Sequence, residues 1–186
     1  MHSGIGPTDQ LSKFGIELVG EEPGVGQNLS DHPALSVVCE AKDRGLIDHD
    51  KPIIQTILRY TAEGSSKRND LQIEQLSFAG KPGGPPLFAI AAVLEYQFGR
   101  GELRLNSADP HDLPIIENRF CEDDRDTIRL VACMRDTLRF TREGEVAELI
   151  ASITFPDPKR GLDDEVLTKL CKKFAASGYH PCGTIK

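Results

Sequence analysis

The sequence is poor in positive charge and in long apolar stretches. Its 186 residues include 22 lysines and arginines against 29 aspartates and glutamates, which gives a net charge of −7. A nucleic-acid-binding face needs clustered cations, often with aromatic side chains between them, and no such stripe occurs. No apolar run approaches the roughly 20 residues that span a membrane, and the first residues lack the layout of a secretory signal. We therefore expect no nucleic-acid partner and no membrane-spanning segment.

Cysteines are few, scattered and odd in number, and no CxxC pair occurs. The five positions are Cys39, Cys121, Cys133, Cys171 and Cys182. This spacing argues against a disulfide framework and against a zinc site, so we expect no metal. The pattern instead predicts reduced and mostly buried thiols, which fits a cytoplasmic protein.

The distribution of apolar residues predicts a mixed chain of strands and helices. Strands are predicted at 16–19, 34–40, 71–76, 87–94 and 102–106, and helices at 8–14, 52–61 and 163–175. A further helix is predicted to open on the acidic residues 122–126 and to continue through Leu138, with negative charge where the helix dipole favours it. Alternation at 102–106 indicates a strand with one wet face, as in antiparallel sheets. The predicted fold class is α+β, with a mostly antiparallel sheet flanked by helices.

One histidine near the C-terminus could carry chemistry. His180 lies between Tyr179 and Pro181, in a stretch too rich in glycine and proline for an ordinary helix. Imidazole is the side chain best suited to accept a proton near neutral pH, so a fixed turn could hold it as a general base. For a lone histidine, however, a solvated turn is the more frequent explanation.

Three further motifs favour the catalytic interpretation. Residues 3–7 read SGIGP, residues 23–32 read PGVGQNLSDH and residues 99–110 read GRGELRLNSADP, and they precede the histidine segment YHPCGT at residues 179–184. In this order they resemble motifs of the glucose-methanol-choline (GMC) oxidoreductase family, flavoenzymes that oxidise alcohols with bound FAD. The resemblance spans nearly the whole chain and is poorest at residues 41–86.

The resemblance implies a division of the chain. Residues 1–33 would belong to the FAD-domain side, 34–176 to the substrate-binding domain of a two-domain flavoenzyme, and 177–186 to a truncated active-site segment. The family's dinucleotide fingerprint lies upstream of these motifs, and a second active-site His or Asn lies downstream. We therefore expect a fragment that needs the missing FAD-binding domain and is inactive alone.

The resemblance also implies residue roles. His180 would be the catalytic base that takes the proton of the alcohol substrate while hydride passes to flavin N5. Asn28, Asp31 and His32 match the family's NLxDH stretch and would bind the cofactor, FAD. For Asn28 and Asp31 an alternative is that they satisfy backbone groups in a turn. Cys182 is interpreted as a small filler residue, since no basic neighbour is evident to activate it.

Residues 24–29 begin like the GxGxxG dinucleotide fingerprint but do not complete it. The last position is Leu29, and the following Asp31-His32-Pro33 blocks a helix, so a tight loop is predicted there.

Two other functions remain open at this stage. Some proteins of the same fold cleave hydroxynitriles or decarboxylate fatty acids under light, because one fold can host several chemistries. The chain could also be a degenerate binding module without catalysis.

Overall fold

The structure is a computed structural model that describes residues 1–185. In these residues the strands are β1 (Ile5–Gly6), β2 (Gly20–Glu21), β3 (Pro33–Ala41), β4 (Ile54–Tyr60), β5 (Leu71–Leu76), β6 (Leu87–Leu94), β7 (Glu102–Arg104), β8 (Ile115–Glu117), β9 (Ile150–Phe155) and β10 (Ala176–Ser177). The α-helices are α1 (Thr8–Lys13), α2 (Asp124–Phe140), α3 (Gly144–Leu149) and α4 (Asp164–Phe174).

A six-stranded sheet organises the molecule. Its order is β10-β3-β6-β5-β4, and β9 pairs with β3 on the same side as β10. Every pairing in this sheet is antiparallel. A separate antiparallel pair joins β7 to β8, and a short parallel pair joins β1 to β2. The mostly antiparallel α+β fold predicted from the sequence is confirmed.

Helix α2 covers one face of the main sheet, and α4 packs against α2 in the same core. Alternate residues of a strand point to opposite faces, and on this face Leu35, Val37 and Ile90 are at most 3% exposed. They pack with Leu130 and Met134 of α2, both fully buried. The N-terminus of α2 is capped by Asp123, which accepts a hydrogen bond from the Arg125 N–H. The core therefore lies between the sheet and α2.

The structure confirms three predicted strands, at 34–40, 71–76 and 87–94. It also confirms the helices predicted at 8–14 and 163–175 and the long helix after residue 122. The helix predicted at 52–61 is wrong, because these residues form edge strand β4, which bonds along β5. The strand predicted at 16–19 is also absent, and the strand predicted at 102–106 ends at Arg104. The sequence patterns did not indicate the short strands β1, β2, β8 and β10, strand β9 or helix α3.

All five cysteines are free thiols, and only Cys182 is exposed. Burial raises the pKa of Cys39, Cys121 and Cys133 to about 11 and the pKa of Cys171 to about 12. The expectation of mostly buried thiols is confirmed. Within residues 1–185, no helix is long and apolar enough to cross a membrane, and no group of three or more potential metal ligands forms.

Candidate functional site

Motifs from the two ends of the chain meet in one structure, which we call the paired loops (residues 26–32 and 177–184). Ser30 and Cys182 exchange two backbone hydrogen bonds of 2.9 and 2.8 Å. On either side of this pair, the Gly26 N–H donates to the Thr184 carbonyl at 2.8 Å, and the Gly178 N–H donates to the His32 carbonyl at 2.7 Å. The histidine motif is therefore held against the PGVGQNLSDH motif along its whole length.

The third motif forms the other side of the same structure. Leu29 and Gly101 exchange backbone hydrogen bonds of 2.9 and 2.8 Å, and the Leu103 N–H donates to the Gly26 carbonyl at 2.6 Å. Two glycines make this approach possible. A Cβ on Gly26 would lie 2.3 Å from the Leu103 oxygen, and a Cβ on Gly101 would lie 2.0 Å from the Glu117 oxygen. Only glycine fits such close backbone contacts.

The Asp31 carboxylate lies at the centre of the paired loops and is 3% exposed. Its Oδ1 accepts hydrogen bonds from the backbone N–H groups of His32 at 2.7 Å and of His180 at 2.9 Å. Its Oδ2 accepts from the Ser177 hydroxyl, and the Asp31 N–H donates to Gln97 Oε1 at 3.1 Å. The carboxylate thus satisfies donors of both paired loops.

The rings of His32 and His180 stack, with centroids 4.6 Å apart and planes inclined by 25°. His32 Nδ1 is buried without a hydrogen-bond partner and lies 3.7 Å from the carboxylate of Glu95, which pairs with Arg59. His180 is exposed. Among the residues that the structure describes, only the backbone of His180 is hydrogen-bonded, so both ring nitrogens are available to a ligand.

His180 borders a cavity of about 580 Å³ on the face of the main sheet opposite α2. Small side chains such as Ala34 and Ser36 form its floor, and Phe155, Phe174 and Tyr179 contribute aromatic walls. This arrangement can hold a small, largely apolar molecule beside an accessible imidazole, which is the usual chemistry of a ligand pocket.

The remaining predicted residues lie nearby. Asn28 has φ 63° and donates through Nδ2 to the Gly183 carbonyl at 3.3 Å, so its side chain joins the paired loops. Cys182 contributes its backbone to the pairing, and its thiol is exposed. Sequence inspection missed Ser177 and Gln97 as partners of Asp31. No local signal identifies them, because they lie 146 and 66 residues away from it.

Comparison with known proteins gives a consistent result. The sequence profile of the family described as GMC oxidoreductase matches residues 98–186. Choline oxidase of Arthrobacter globiformis is 30% identical over 100% of this chain, and the oxygen-dependent choline dehydrogenase of Chromohalobacter salexigens is 29% identical over 99% of it. The chain covers only 36% and 38% of the lengths of these two relatives.

Solved structures share the fold. A variant formate oxidase of Aspergillus oryzae RIB40, studied for FAD modification, superposes with a TM-score of 0.79 over 98% of this chain and 41% of its own length, at 22% identity. Pyridoxine 4-oxidase superposes with a TM-score of 0.76 over 98% of this chain and 37% of its own, at 18% identity. At these identities the likeness concerns the fold alone.

Proposed function

The chain belongs to the GMC oxidoreductase family, and from that premise we propose that it forms the substrate side of an FAD-dependent enzyme that oxidises an alcohol to a carbonyl compound. One observation carries the proposal. His180 is exposed at a largely apolar cavity, with free ring nitrogens and a backbone that the buried Asp31 carboxylate holds in place. An accessible imidazole fixed at a pocket suits a general base.

The described residues fit one side of a bound FAD. Residues 179–183 are all exposed, Tyr179 and His180 border the cavity, and this segment would lie along a flavin ring. The buried, unpartnered Nδ1 of His32 offers a polar atom close to His180. A cradle for the phosphates needs a glycine-rich turn that opens a helix. Residues 23–26 instead form a turn, and the chain then continues through residues 27–32 into strand β3. We propose that a separate FAD-binding domain provides the main grip on the cofactor.

When bound, FAD supplies the acceptor for the hydride of the substrate carbon. His180 takes the hydroxyl proton on a ring nitrogen, which leaves negative charge on the substrate oxygen and makes the carbon a better hydride donor. The paired loops fix the imidazole, and the cavity orients the substrate carbon next to it. The apolar walls exclude water once the open side is covered, and Asn28 and His32 complete the loop that faces the cofactor.

We propose the same division of the chain that the motifs suggest, with residues 1–33 on the FAD-domain side, 34–176 as the substrate-binding domain and 177–186 as the active-site segment. Large apolar side chains remain exposed, including Val19 (73%), Leu113 (83%), Ile128 (67%) and Ile185 (90%). Extensive exposed apolar surface marks an interaction site, and an FAD-binding domain would cover part of it.

Two experiments test the proposal. The purified 186-residue chain is expected to lose flavin on desalting and to leave alcohols unoxidised, and a stoichiometric flavin absorbance would contradict this. The flavoprotein that contains this chain is then mixed anaerobically with a panel of alcohols. The panel includes choline, because two relatives are named as a choline oxidase and a choline dehydrogenase. Flavin bleaching by at least one alcohol supports oxidation, whereas product formation without bleaching would indicate a lyase or decarboxylase.

A further inference from the structure

We propose that Asp31 is the positioning residue of this site. In this proposal, its buried carboxylate fixes the backbone at both stacked histidines and so sets the direction in which the His180 imidazole faces the cavity. The proposal rests on the proposed role of His180 as the base. It assigns Asp31 a contact with the chain itself instead of the direct contact with FAD that the motif suggests.

The geometry at one carboxylate oxygen explains the stacked rings. The backbone N–H groups of His32 and His180 both donate to Asp31 Oδ1, at 2.7 and 2.9 Å. Because both amides donate to one acceptor atom, the backbones of His32 and His180 lie close together at this point. Their rings then lie face to face with centroids 4.6 Å apart.

The second carboxylate oxygen extends this control to the residue before His180. The Ser177 hydroxyl donates to Asp31 Oδ2 and accepts a hydrogen bond from the Tyr179 N–H at 2.9 Å. Tyr179 has φ 65°, a left-handed conformation that residues other than glycine rarely adopt. Two consecutive amides are therefore tied to one carboxylate, directly or through Ser177, and this holds a turn that would otherwise relax.

The loop that carries Asp31 is anchored to the third motif and to a residue just before it. The Asp31 N–H donates to Gln97 Oε1, and Leu29, two residues before Asp31, exchanges two backbone hydrogen bonds with Gly101 of the motif. At 3% exposure the carboxylate does not reach the cavity. Its influence on a substrate must therefore pass through His180, which makes it a positioning residue rather than a catalytic one.

Histidine NMR of the 186-residue chain tests this directly. The chain has five histidines, so the ring signals can be assigned by single substitutions. In Asp31→Ala we expect loss of the cross-relaxation between the His32 and His180 rings and a shift of both sets of signals. Asp31→Asn retains an oxygen for the two amides and a nitrogen that can donate to Ser177, so we expect it to preserve the ring contact.

Asp109→Ala is the matched control. Asp109 Oδ1 accepts a hydrogen bond from the His111 N–H at 2.9 Å, the same type of bond, in an exposed loop that does not line the cavity. It should leave the His32 and His180 signals unchanged. If a folded Asp31→Ala chain keeps the ring contact, the proposal is overturned.

Ser177→Ala keeps the test valid should Asp31→Ala fail to fold. It removes one link only, so we expect the Tyr179 amide to exchange with solvent at least ~10-fold faster while the core amides stay protected. Unchanged exchange at Tyr179 would count against the proposal.

Kinetics of the flavoprotein separate this proposal from the proposed function. A misplaced base should lower kcat by about 10- to 100-fold in Asp31→Ala, leave KM within about threefold, and be largely rescued in Asp31→Asn. If Asp31→Ala is normal while His180→Ala is impaired, Asp31 has no positioning role and the base assignment stands. If both variants reduce flavin normally, the assignment of His180 as the base fails, and if no alcohol reduces the flavin of the wild type, the proposed function itself fails.

Discussion

Replacing Arg129 by methionine should destabilise the fold far more than replacing any surface arginine. Arg129 belongs to α2, and its side chain is 9% exposed. Its guanidinium donates to Asp70, to Asp126 and to the Tyr96 carbonyl, each at 2.8 Å. Methionine keeps the apolar contacts of the stem and removes the charge that both buried carboxylates face.

The expected loss in the free energy of unfolding depends on the hydrogen bonds that the two carboxylates keep. Removing one partner of a buried ion pair costs roughly 3–5 kcal/mol. Asp70 keeps hydrogen bonds from Ala62 and Ser65, and Asp126 keeps those from the backbone of Phe98 and Gly99. We therefore expect the lower end, about 3 kcal/mol. For a chain of this length that corresponds to a fall in Tm of roughly 6–12 °C.

Urea unfolding monitored by circular dichroism measures this difference, and Arg135→Met provides the control. Arg135 lies on the same helix and pairs with Asp164 at 2.8 Å, but both side chains are more than half exposed. Exposed pairs contribute only about 0–1 kcal/mol. If Arg129→Met lies within about 1 kcal/mol of Arg135→Met, the buried network does not have the importance assigned to it here.

Three further predictions concern other parts of the chain. A thiol reagent at pH 8 should label Cys182 at once and the four buried thiols only on unfolding, because burial raises the pKa of these four to about 11–12. Rapid labelling of two or more thiols would contradict this. Burial alone would raise the pKa of Asp70, but hydrogen bonds hold it below 3.8. Its ionisation therefore stabilises the fold above about pH 4, and this stabilisation is lost as the pH falls below that value. The difference in the free energy of unfolding between wild type and Asp70→Asn, measured by urea titration, should shrink from pH 5 to pH 3. A constant difference would refute the assignment. Gly183 has φ 91°, and a Cβ there would lie 2.5 Å from the backbone oxygen of Asn28. Gly183→Ala should lower the free energy of unfolding by about 1–3 kcal/mol in denaturant titrations. The loss should be larger than in Gly15→Ala, where φ is also positive but a Cβ would meet no atom within 4 Å.

Strong amphipathic patterns made much of the fold predictable. Helices α2 and α4 carry apolar residues at helical spacing behind acidic first turns and aspartate caps. Strand β6 is a continuous apolar run, and both of its neighbours are strands of the same sheet. Each of these signals lies within a single segment of the chain, so no knowledge of tertiary contacts was needed.

Strand β4 shows where local patterns fail. Ile54, Ile57 and Leu58 recur at helical spacing, yet the segment is an edge strand in which six of seven residues are exposed. Hydrogen bonds to β5 decide its conformation, and these depend on chain folding and not on the local pattern. The missed strand β9 pairs with β3, more than 100 residues earlier in the chain.

The sequence indicated which residues belong to the site, but not the hydrogen bonds that join them. His180, His32, Asp31 and Asn28 all stand out through their motifs, and the structure brings them together. The hydrogen bonds from Ser177 and His180 to Asp31 span 146 and 149 residues, so no sequence window contains both ends. Whether these residues act on an alcohol and on FAD stays a prediction.

The most direct test of the proposed base is the anaerobic reduction of flavin by alcohol in the flavoprotein that contains this chain. Stopped-flow traces of His180→Ala are compared with wild type and with His111→Ala, an exposed histidine in a loop outside the cavity. We predict a reduction rate at least ~100-fold lower in His180→Ala and a normal rate in His111→Ala. Equal rates in all three proteins would contradict the assignment of His180 as the base.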